Sequence, residues 1–410
     1  MEQLTYIFFI LQIVFLTVLI INILYIFIFA IVSLIPFRVV VPENASRKKI
    51  AVLIPAYKED KVIIEVASEA IRQNYPRDRF EVIVIADSFA GSTLAVLQQL
   101  PVMLIEVSFE NSTKAKALNA AMSLLPDDYD IAVVLDADNI MAPDFLTKID
   151  DFFAANQAVA VQGRRTAKNV NTSFAVLDAI SEEITNQLFC KGQRILGFSS
   201  SISGSGSAFD YRFFKNIMMK TEAIGGYDKE LEMRILREKH IIHYLPDACV
   251  FDEKVQTAQI FYHQRRRWLS AQFHYVRIAF GDALKLLFST GNWDYFNKVF
   301  QWTLLPRSII LGLLFVLAPV CIIFEQSVFH PLFSQVWMIL SGIYIFSIMI
   351  MIPGKFYNIR ILKVIGKLPL GTWLMFKNLF HLKGSNQAFI HTEHGIVGEP
   401  EKRKIIFLSN

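Results

Sequence analysis

The stretch Val133-Val134-Leu135-Asp136-Ala137-Asp138-Asn139 joins a run of apolar residues directly to two carboxylates. The run from Ile131 to Leu135 is short and rich in β-branched residues, which predicts a buried strand. Side chains two positions apart on a strand share a face, so Asp136 and Asp138 can converge on one cation. Ligands of open α/β sheets bind beyond the carboxyl ends of the strands, and a hard divalent ion bridges carboxylates and substrate phosphates. The stretch therefore predicts a metal–diphosphate site, although an isolated Asp-x-Asp is more often a solvated turn.

The composition of the whole chain indicates a membrane protein that carries a soluble domain. Hydrophobic residues make up 53% of the 410 residues, charged residues only 19%, and the mean hydropathy is +0.39. A wholly soluble protein is rarely so apolar. Three scattered cysteines form no Cys-x-x-Cys pair, so neither a zinc site nor a disulfide framework is indicated. The net charge of +4 is small, and we expect no nucleic-acid partner.

The first 37 residues predict an uncleaved transmembrane helix. Tyr6 to Pro36 contains no charged residue and exceeds the roughly 20 residues that span a bilayer. It lacks the basic start and small-residue cleavage site of a signal peptide. Arg38, Arg47 and Lys48 follow it, so the positive-inside rule places the next domain in the cytoplasm.

Apolar segments return in the second half of the chain. Residues 269–300 mix aromatic, basic and apolar side chains and predict an amphipathic helix in the membrane interface. Residues 305–353 contain two further candidate spans, and basic residues return in the tail at 354–410, which we expect in the cytoplasm or the interface. Arg307 lies at the edge of a span, where it could snorkel or face an anionic headgroup. These segments predict a multi-pass protein of a bacterial plasma membrane with a cytoplasmic catalytic domain.

Between residues 49 and 268, strand-like and helix-like segments alternate. Strands are predicted at Ile50–Pro55, Phe80–Ala86, Val102–Val107 and up to Asp136, with helices at Glu59–Asn74, Gly91–Leu100 and Lys114–Leu125. This spacing indicates a Rossmann-like α/β domain with a mostly parallel sheet. Neither glycine-rich phosphate-binding motif follows the first strand, and acidic residues stand at the strand ends instead.

The motifs within this domain resemble one known family. They are Ile54-Pro55-Ala56-Tyr57-Lys58-Glu59, Ile85-Ala86-Asp87-Ser88, Lys114-Ala115-Lys116-Ala117-Leu118-Asn119, Asp136-Ala137-Asp138 and Gln264-Arg265-Arg266-Arg267-Trp268. In this order they resemble the membrane-bound family-2 glycosyltransferases of GT-A fold, inverting enzymes that include cellulose, chitin and hyaluronan synthases. Lys58 replaces the asparagine that the family usually has there.

The resemblance implies a role for each matching residue. It places Pro55, Tyr57, Glu59, Asp87, Lys114 and Asp136 near the nucleotide, Asp138 and Asp136 on Mg²⁺ or Mn²⁺, Gln264 and Arg267 on the diphosphate, and Trp268 on the acceptor sugar. The glycine-rich turn before Ser207 would approach the acceptor, with Gly206 the nearest residue. Arg265 and Arg266 could also anchor the chain to headgroups.

The resemblance also predicts a catalytic base. The family's base lies in a Glu-Asp pair, and alignment places Asp228 on the base position while Tyr227 replaces the glutamate. Glu230 is the reserve candidate, and both acids could instead cap and begin a helix. The stretch at 386–395, with His391, Glu393 and His394, is expected to form a lid over the site rather than a metal site.

The sequence leaves three functions open. The complete Gln-x-x-Arg-Trp motif favours an enzyme that moves sugar from a nucleotide sugar, which we expect to be a UDP-sugar, to a growing polysaccharide. An accessory export subunit could assist such an enzyme. The first alternative transfers one sugar to a lipid acceptor in the membrane. The second alternative is a degenerate, non-catalytic partner that binds nucleotide sugar, which only Tyr227 and Lys58 favour.

Overall fold

The computed structural model describes residues 2–40, 42–43, 46–323, 331–358 and 364–381. The predicted lid at 386–395 lies outside this range. The strands are β1 Ile50–Tyr57, β2 Phe80–Asp87, β3 Met103–Val107, β4 Ile131–Val134, β5 Ile140–Met141, β6 Ala160–Ala167, β7 Ser207–Asp210 and β8 Ile242–Asp252. The helices before β8 are α1 Glu2–Val32, α2 Ile63–Ala70, α3 Gly91–Leu97, α4 Lys114–Leu124, α5 Phe145–Ala155, α6 Ser173–Thr185, α7 Gly192–Ile195, α8 Tyr211–Met218 and α9 Tyr227–Arg237. After β8 come α10 Ala258–Thr290, α11 Trp293–Thr303, α12 Arg307–Ile323, α13 Pro331–Met351 and α14 Leu368–Leu379.

The eight strands form one mixed sheet in the order β3-β2-β1-β4-β7-β6-β8-β5. The first four neighbours are parallel, with Leu53 of β1 opposite both Ile83 and Val134. β7 then runs antiparallel to both β4 and β6. The prediction of a mostly parallel sheet therefore describes one half of the sheet, and the other half is mixed. The alternating pattern that indicated parallel strands ends at β4, after which β7 is a short strand that enters from a Gly/Ser turn.

Helices cover both faces of the sheet, which explains why its strands are almost continuously apolar. On β1, Ala51 and Leu53 pack toward α4, α8 and α9, while Val52 and Ile54 pack toward α2 and α5. All four side chains are fully buried. The sheet therefore exposes only its edges and its strand ends, and the ends of β1, β2 and β4 carry Tyr57, Asp87 and the Asp136–Asp138 pair.

Two helices of the described chain are long and apolar enough to cross a membrane, Phe9–Val32 and Ser334–Met351, with mean hydropathies of 2.9 and 1.7. The predicted second span is α12, which has 17 described residues and meets the same test only together with α11, across a 52° bend. By length and composition, the described residues thus contain two candidate membrane spans, or three if α11 and α12 together form one bent span. α1, α12 and α13 share one apolar core, with Ile23, Ile310 and Tyr344 almost completely buried.

α10 is a single helix of 33 residues, so the predicted domain boundary at residues 268/269 falls inside it. One side packs into the main core through Tyr275, Ala279 and Ala283. The opposite side exposes aromatic residues, among them Phe273 and Phe288. The helix therefore joins the α/β domain directly to the apolar helices.

A polar network fixes α1 to the α/β domain. The Tyr25 hydroxyl donates to Asn297 Oδ1 on α11 (2.8 Å) and accepts from Gln193 Nε2 on α7 (3.1 Å). Asn297 Nδ2 in turn donates to Gln193 Oε1 at 2.8 Å. Each of these buried polar groups needs its hydrogen-bond partner, so the three bonds hold α1, α7 and α11 in one arrangement.

Gly163 provides a test of the sheet that carries the site. It lies where the β6–β8 register shifts, and an added Cβ would lie 2.7 Å from Ala248 O and 3.0 Å from Gly206 O. Because both atoms belong to backbone, we expect Gly163→Ala to destabilise the protein by about 1–3 kcal/mol. Differential scanning fluorimetry of detergent-purified protein should show a lower midpoint. Gly281→Ala is the control, since the described residues put nothing within 4 Å of its added methyl; an equal loss in both variants would contradict the expectation.

Candidate active site

One cavity of about 590 Å³ lies beyond the carboxyl ends of β1, β2 and β4. Of the residues predicted from sequence, it is lined by Pro55, Tyr57, Glu59, Asp87, Lys114, Asp136, Asp138, Asp228, Gln264, Arg267 and Trp268. The strand register accounts for the first part of this set, because Tyr57 pairs with Asp87 at the ends of two parallel strands. The chain thus brings residues more than 200 positions apart to one site.

The turn that carries the Asp-x-Asp pair is held by two neighbouring polar side chains. Ser205 Oγ accepts from the Asp136 backbone N–H at 2.9 Å. The Asn139 amide is oriented by its surroundings, because one end faces two carboxylates and the other faces the Ser205 hydroxyl. Its nitrogen donates to Asp252 Oδ1 (2.9 Å) and Asp138 Oδ1 (3.2 Å), and its oxygen accepts from Ser205 Oγ (2.7 Å). Asn139, next to the motif, thus positions Asp138.

Lys114 supplies a positive charge beside this turn. It begins α4, which Thr113 caps by accepting from the Lys116 N–H at 3.1 Å. The Lys114 ammonium forms a salt bridge with Asp136 and donates to Gly204 O at 2.6 Å. Its charge also lies 4.8 Å from the centre of the Tyr227 ring, within cation–π range. The predicted nucleotide-binding lysine is therefore directed to the place where a diphosphate and its metal would lie.

Tyr227, the departure from the family motif, has a structural role here. Its hydroxyl donates to Gly204 O at 2.6 Å, and the side chain is buried. Burial raises the pKa of this phenol well above its usual value, and the charges of Asp136 and Asp228 add to the effect. The hydroxyl therefore stays protonated and can donate to the Gly/Ser turn.

The structure distinguishes the two candidate bases. Asp228 lies in the first turn of α9 and lines the cavity. Glu230 is outside the cavity lining, forms a salt bridge with Arg234 (2.6 Å) and accepts from the Tyr275 hydroxyl (3.3 Å). The helix cap is Gly226, with φ of +69°, rather than either acid. The geometry thus favours Asp228, while Glu230 belongs to the packing of α9 against α10.

The Gln-x-x-Arg-Trp residues reach the cavity from α10. Burial lowers the pKa of the Arg267 guanidinium, while the charges of Asp136, Asp228 and Asp138 act in the opposite direction. Arg267 thus lies in the field of all three site carboxylates. Trp268 is 38% exposed, and the Arg265 guanidinium stacks 4.2 Å from the centre of its indole ring.

The two middle arginines of the motif are engaged within the protein. Arg265 forms a salt bridge with the buried Asp178 on α6. Arg266 Nε donates to His381 O at 2.7 Å. Arg265 therefore pairs inside the fold and is not at the surface, where the headgroup-anchor interpretation would place it.

Gly206 lies away from the cavity lining. Its φ is +65°, and an added Cβ would meet Val250 Cγ2 at 2.9 Å. Within the described residues, Gly204 is the glycine of this turn that lines the cavity, and its carbonyl accepts from Lys114 and Tyr227. The turn marked in the sequence reaches the cavity through Gly204, but the direction of each glycine depends on how β7 enters the sheet.

A buried charge cluster behind the Asp-x-Asp turn was missed by the sequence analysis. Asp252 pairs with both Arg165 and Lys254 at 2.6 Å, and Glu182 lies 3.3 Å from Lys254. Burial alone would raise the pKa of Asp252, but the two cations outweigh it and hold the pKa well below its usual value. The available signal was that Asp252 ends a strand, as Asp87 does.

The donor set of the turn fits a divalent ion that is shared with a substrate. Asp136 and Asp138 offer hard carboxylate oxygens, and the described residues contain no cluster of three or more His, Cys, Asp or Glu side chains that could hold an ion alone. Mg²⁺ is commonly held by one or two carboxylates together with substrate phosphates. An ion here would therefore take its remaining ligands from water and substrate phosphates.

The family follows from comparison with known proteins. The family model described as "Glycosyltransferase like family 2" matches residues 47–271, more than half of the chain. The chain belongs to glycosyltransferase family 2. The match covers the sheet, the Asp-x-Asp turn and the Gln-x-x-Arg-Trp motif, and it confirms the resemblance found in the sequence.

Relatives of this family-2 chain include a glucosyldiacylglycerol synthase. It is 26% identical over 282 residues to the beta-monoglucosyldiacylglycerol synthase of Nostoc sp., covering 65% of this chain and 58% of that protein. It is 24% identical over 277 residues to the probable glycosyltransferase YdaM of Bacillus subtilis, covering 64% of each. The chain thus spans about three fifths of the length of these relatives.

A solved structure shares the fold. The mannosyltransferase PcManGT from Pyrobaculum calidifontis, solved in complex with GDP-Man and Mn²⁺, has a TM-score of 0.53 and 17% identity, over 82% of this chain and 96% of that one. This likeness supports the GT-A-type fold of the mixed sheet and its helices.

Tyr227→Phe tests how the site turn is held. The variant keeps the ring beside Lys114 but removes the bond to Gly204 O, so we expect a loss of about 0.5–1.5 kcal/mol of stability. Thermal unfolding in detergent should reveal it. Tyr262→Phe is the matched control and should not change the midpoint, because Tyr262 lies outside the cavity lining and its hydroxyl has no hydrogen bond among the described residues. A Tyr227→Phe protein as stable as the wild type would show that the hydroxyl does not hold the turn.

Proposed function

We propose that this family-2 chain transfers one sugar from a nucleotide sugar, most simply a UDP-sugar, to a hydroxyl group of a membrane lipid, with inversion at the anomeric carbon. The observation that supports it most directly is a single cavity. The Asp-x-Asp turn, Asp228 and Arg267 line that cavity, which continues to the apolar helices α12 and α14.

The donor end is suited to a nucleoside diphosphate. Asp87 lies buried at the end of β2, and Lys114 and Arg267 provide cations near the acidic turn. The PcManGT complex holds GDP-Man and Mn²⁺ in a similar fold. When bound, Mg²⁺ or Mn²⁺ on Asp138 and Asp136 would neutralise charge on the leaving diphosphate.

Asp228 is the proposed general base. It would take the proton of the acceptor hydroxyl as that oxygen bonds to the anomeric carbon, while the bond from this carbon to the diphosphate oxygen breaks on the opposite face. Arg267 would hold the diphosphate as negative charge grows on it, because a guanidinium binds phosphate oxygens in pairs. Trp268 presents an aromatic face on which a sugar or headgroup ring can pack.

A lipid acceptor agrees better with the helices than a polysaccharide does. α13 packs against both α1 and α12, and Leu19, Ile23 and Ile310 are fully buried in the apolar core that the three helices share. The cavity meets Leu305, Leu368 and other apolar side chains where it approaches the apolar helices. The name of the Nostoc relative, a glucosyldiacylglycerol synthase, supports the same acceptor class.

A polysaccharide acceptor remains the second candidate because the Gln-x-x-Arg-Trp motif is complete and Trp268 reaches the cavity. An export subunit would matter only for that candidate. The degenerate-partner hypothesis is disfavoured, since Tyr227 has a structural explanation and the acidic site residues are assembled. The lipid reaction would place the protein in the plasma membrane, with the catalytic domain on the cytoplasmic side.

Substitution of the acids tests the mechanism. We expect Asp228→Asn to lower the transfer rate about 10²–10⁴-fold, because a general base contributes that much. Asp138→Ala should lose metal-stimulated transfer, and EDTA should inhibit the wild type. Glu230→Gln is the matched control and should keep the rate within a fewfold. Full activity of folded Asp228→Asn, or loss only in Glu230→Gln, would contradict the assignment.

The product decides the acceptor class. Membranes that contain the protein are incubated with Mg²⁺ or Mn²⁺ and a panel of radiolabelled UDP-sugars, with Asp138→Ala membranes as the blank. We expect the label to enter the organic-solvent phase as a glycolipid of one sugar. Label in high-molecular-weight material on gel filtration would instead establish the polysaccharide reaction.

A further inference from the structure

The cavity has a membrane-side arm that the donor chemistry does not use. Its lining includes Leu177, Thr185, Leu305, Arg307, Leu368 and Met375, contributed by α6, the α11–α12 link, the start of α12 and α14. The helices beside it expose apolar side chains outward, among them Phe315 on α12 and Trp373 on α14. The arm thus connects the catalytic carboxylates with the apolar helices α12 and α14.

Arg307 is the cation in this arm. Its Nη2 donates to Ser181 O (3.1 Å), Ser181 Oγ (3.2 Å) and Thr185 Oγ1 (2.8 Å), all neutral acceptors on α6. Its Nη1 is buried and has no hydrogen-bond partner among the described residues. Within that part of the chain, no carboxylate pairs with it.

Two other arginines of the cavity wall differ in this respect. Arg165 pairs with Asp252, and Arg265 pairs with Asp178. A buried cation without a counter-ion is costly, and a guanidinium is well shaped for phosphate oxygens. The position of Arg307 in an apolar arm therefore points to an anion that carries acyl chains.

We propose that the membrane-side arm binds an anionic glycerolipid, with its phosphate on Arg307 and its acyl chains against Leu305, Leu368 and Met375. This deepens the proposed function, on which it rests, by making the acceptor a phosphate-bearing lipid with a free hydroxyl. Ser181 and Thr185 are positioning residues, because their oxygens orient the guanidinium.

Direct lipid binding tests the proposal. The full chain, purified in detergent, is incubated with tritiated dioleoylphosphatidylglycerol in a scintillation proximity assay, with unlabelled dioleoylglycerol as the neutral competitor. We expect saturable binding that dioleoylglycerol displaces poorly, and at least a tenfold weaker affinity in Arg307→Gln. Arg307→Lys should retain part of the affinity, because lysine keeps the positive charge but lacks the paired N–H donors of the guanidinium.

Two further variants keep the test decisive. Arg277→Gln removes an exposed arginine of α10 outside the cavity and should bind the lipid as the wild type does. Gly371→Leu narrows the arm and leaves Arg307 unchanged in sequence; the added Cβ would meet only Leu177 Cδ2 among the described residues, at 3.5 Å. It should weaken lipid binding even if Arg307→Gln fails to fold, and UDP-sugar binding should remain unchanged in each folded variant.

Equal phosphatidylglycerol binding by wild type, Arg307→Gln and Gly371→Leu would overturn the proposal. So would displacement by dioleoylglycerol at the same concentration as by unlabelled phosphatidylglycerol, since the arm would then accept neutral lipid. Transfer of labelled sugar to lipid is measured separately on the same samples. Arg307-dependent binding without any labelled glycolipid would reject the proposed lipid transfer while supporting the lipid site.

Discussion

Charge compensation at one end of the sheet is the constraint on which the rest of the structure depends. Asp136 and Asp138 stand next to Asp252 and Glu182, and such a concentration of carboxylates in a partly buried place would be unstable alone. Arg165 and Lys254 neutralise the inner pair, and Lys114 contacts Asp136 from the cavity side. Asn139 connects the inner and outer groups through one amide. The acidic turn can therefore keep its geometry without a bound ligand.

The same packing connects Asp228, the proposed general base, to the apolar helices. Glu232, one helical turn after Asp228, accepts from the Ile202 N–H at 2.7 Å and lies 3.6 Å from the buried Lys298 of α11. α11 in turn reaches α1 through Asn297 and Tyr25. A site that acts on a membrane lipid needs a fixed height above the bilayer, and these bonds provide a rigid connection between the base and the helices that we expect to lie in it.

The sequence was most informative where local pattern and local structure coincide. The strands β1, β2 and β4 and the helix α4 are close to their predicted positions because each combines an apolar run with a polar end. It was less informative after β4, where β7 has four residues and β8 carries charged residues at its end. Pairing partners of such strands depend on distant residues, so the mixed half of the sheet and the cluster around Asp252 had no local signal strong enough to predict them.

What the sequence by itself determined is the chemistry: the order of the motifs, the acidic strand ends, the family and the apolar helices. Each of these properties depends on residues that are neighbours in the sequence, so each can be recognised before the fold is known. Only the tertiary structure decided that Asp228 rather than Glu230 faces the cavity, that Gly204 rather than Gly206 lines it, and that Arg265 is buried against Asp178. The direction of a side chain depends on which elements pack together. A shift of one or two positions along a helix or turn is enough to change a side chain that faces the cavity into one that faces the core.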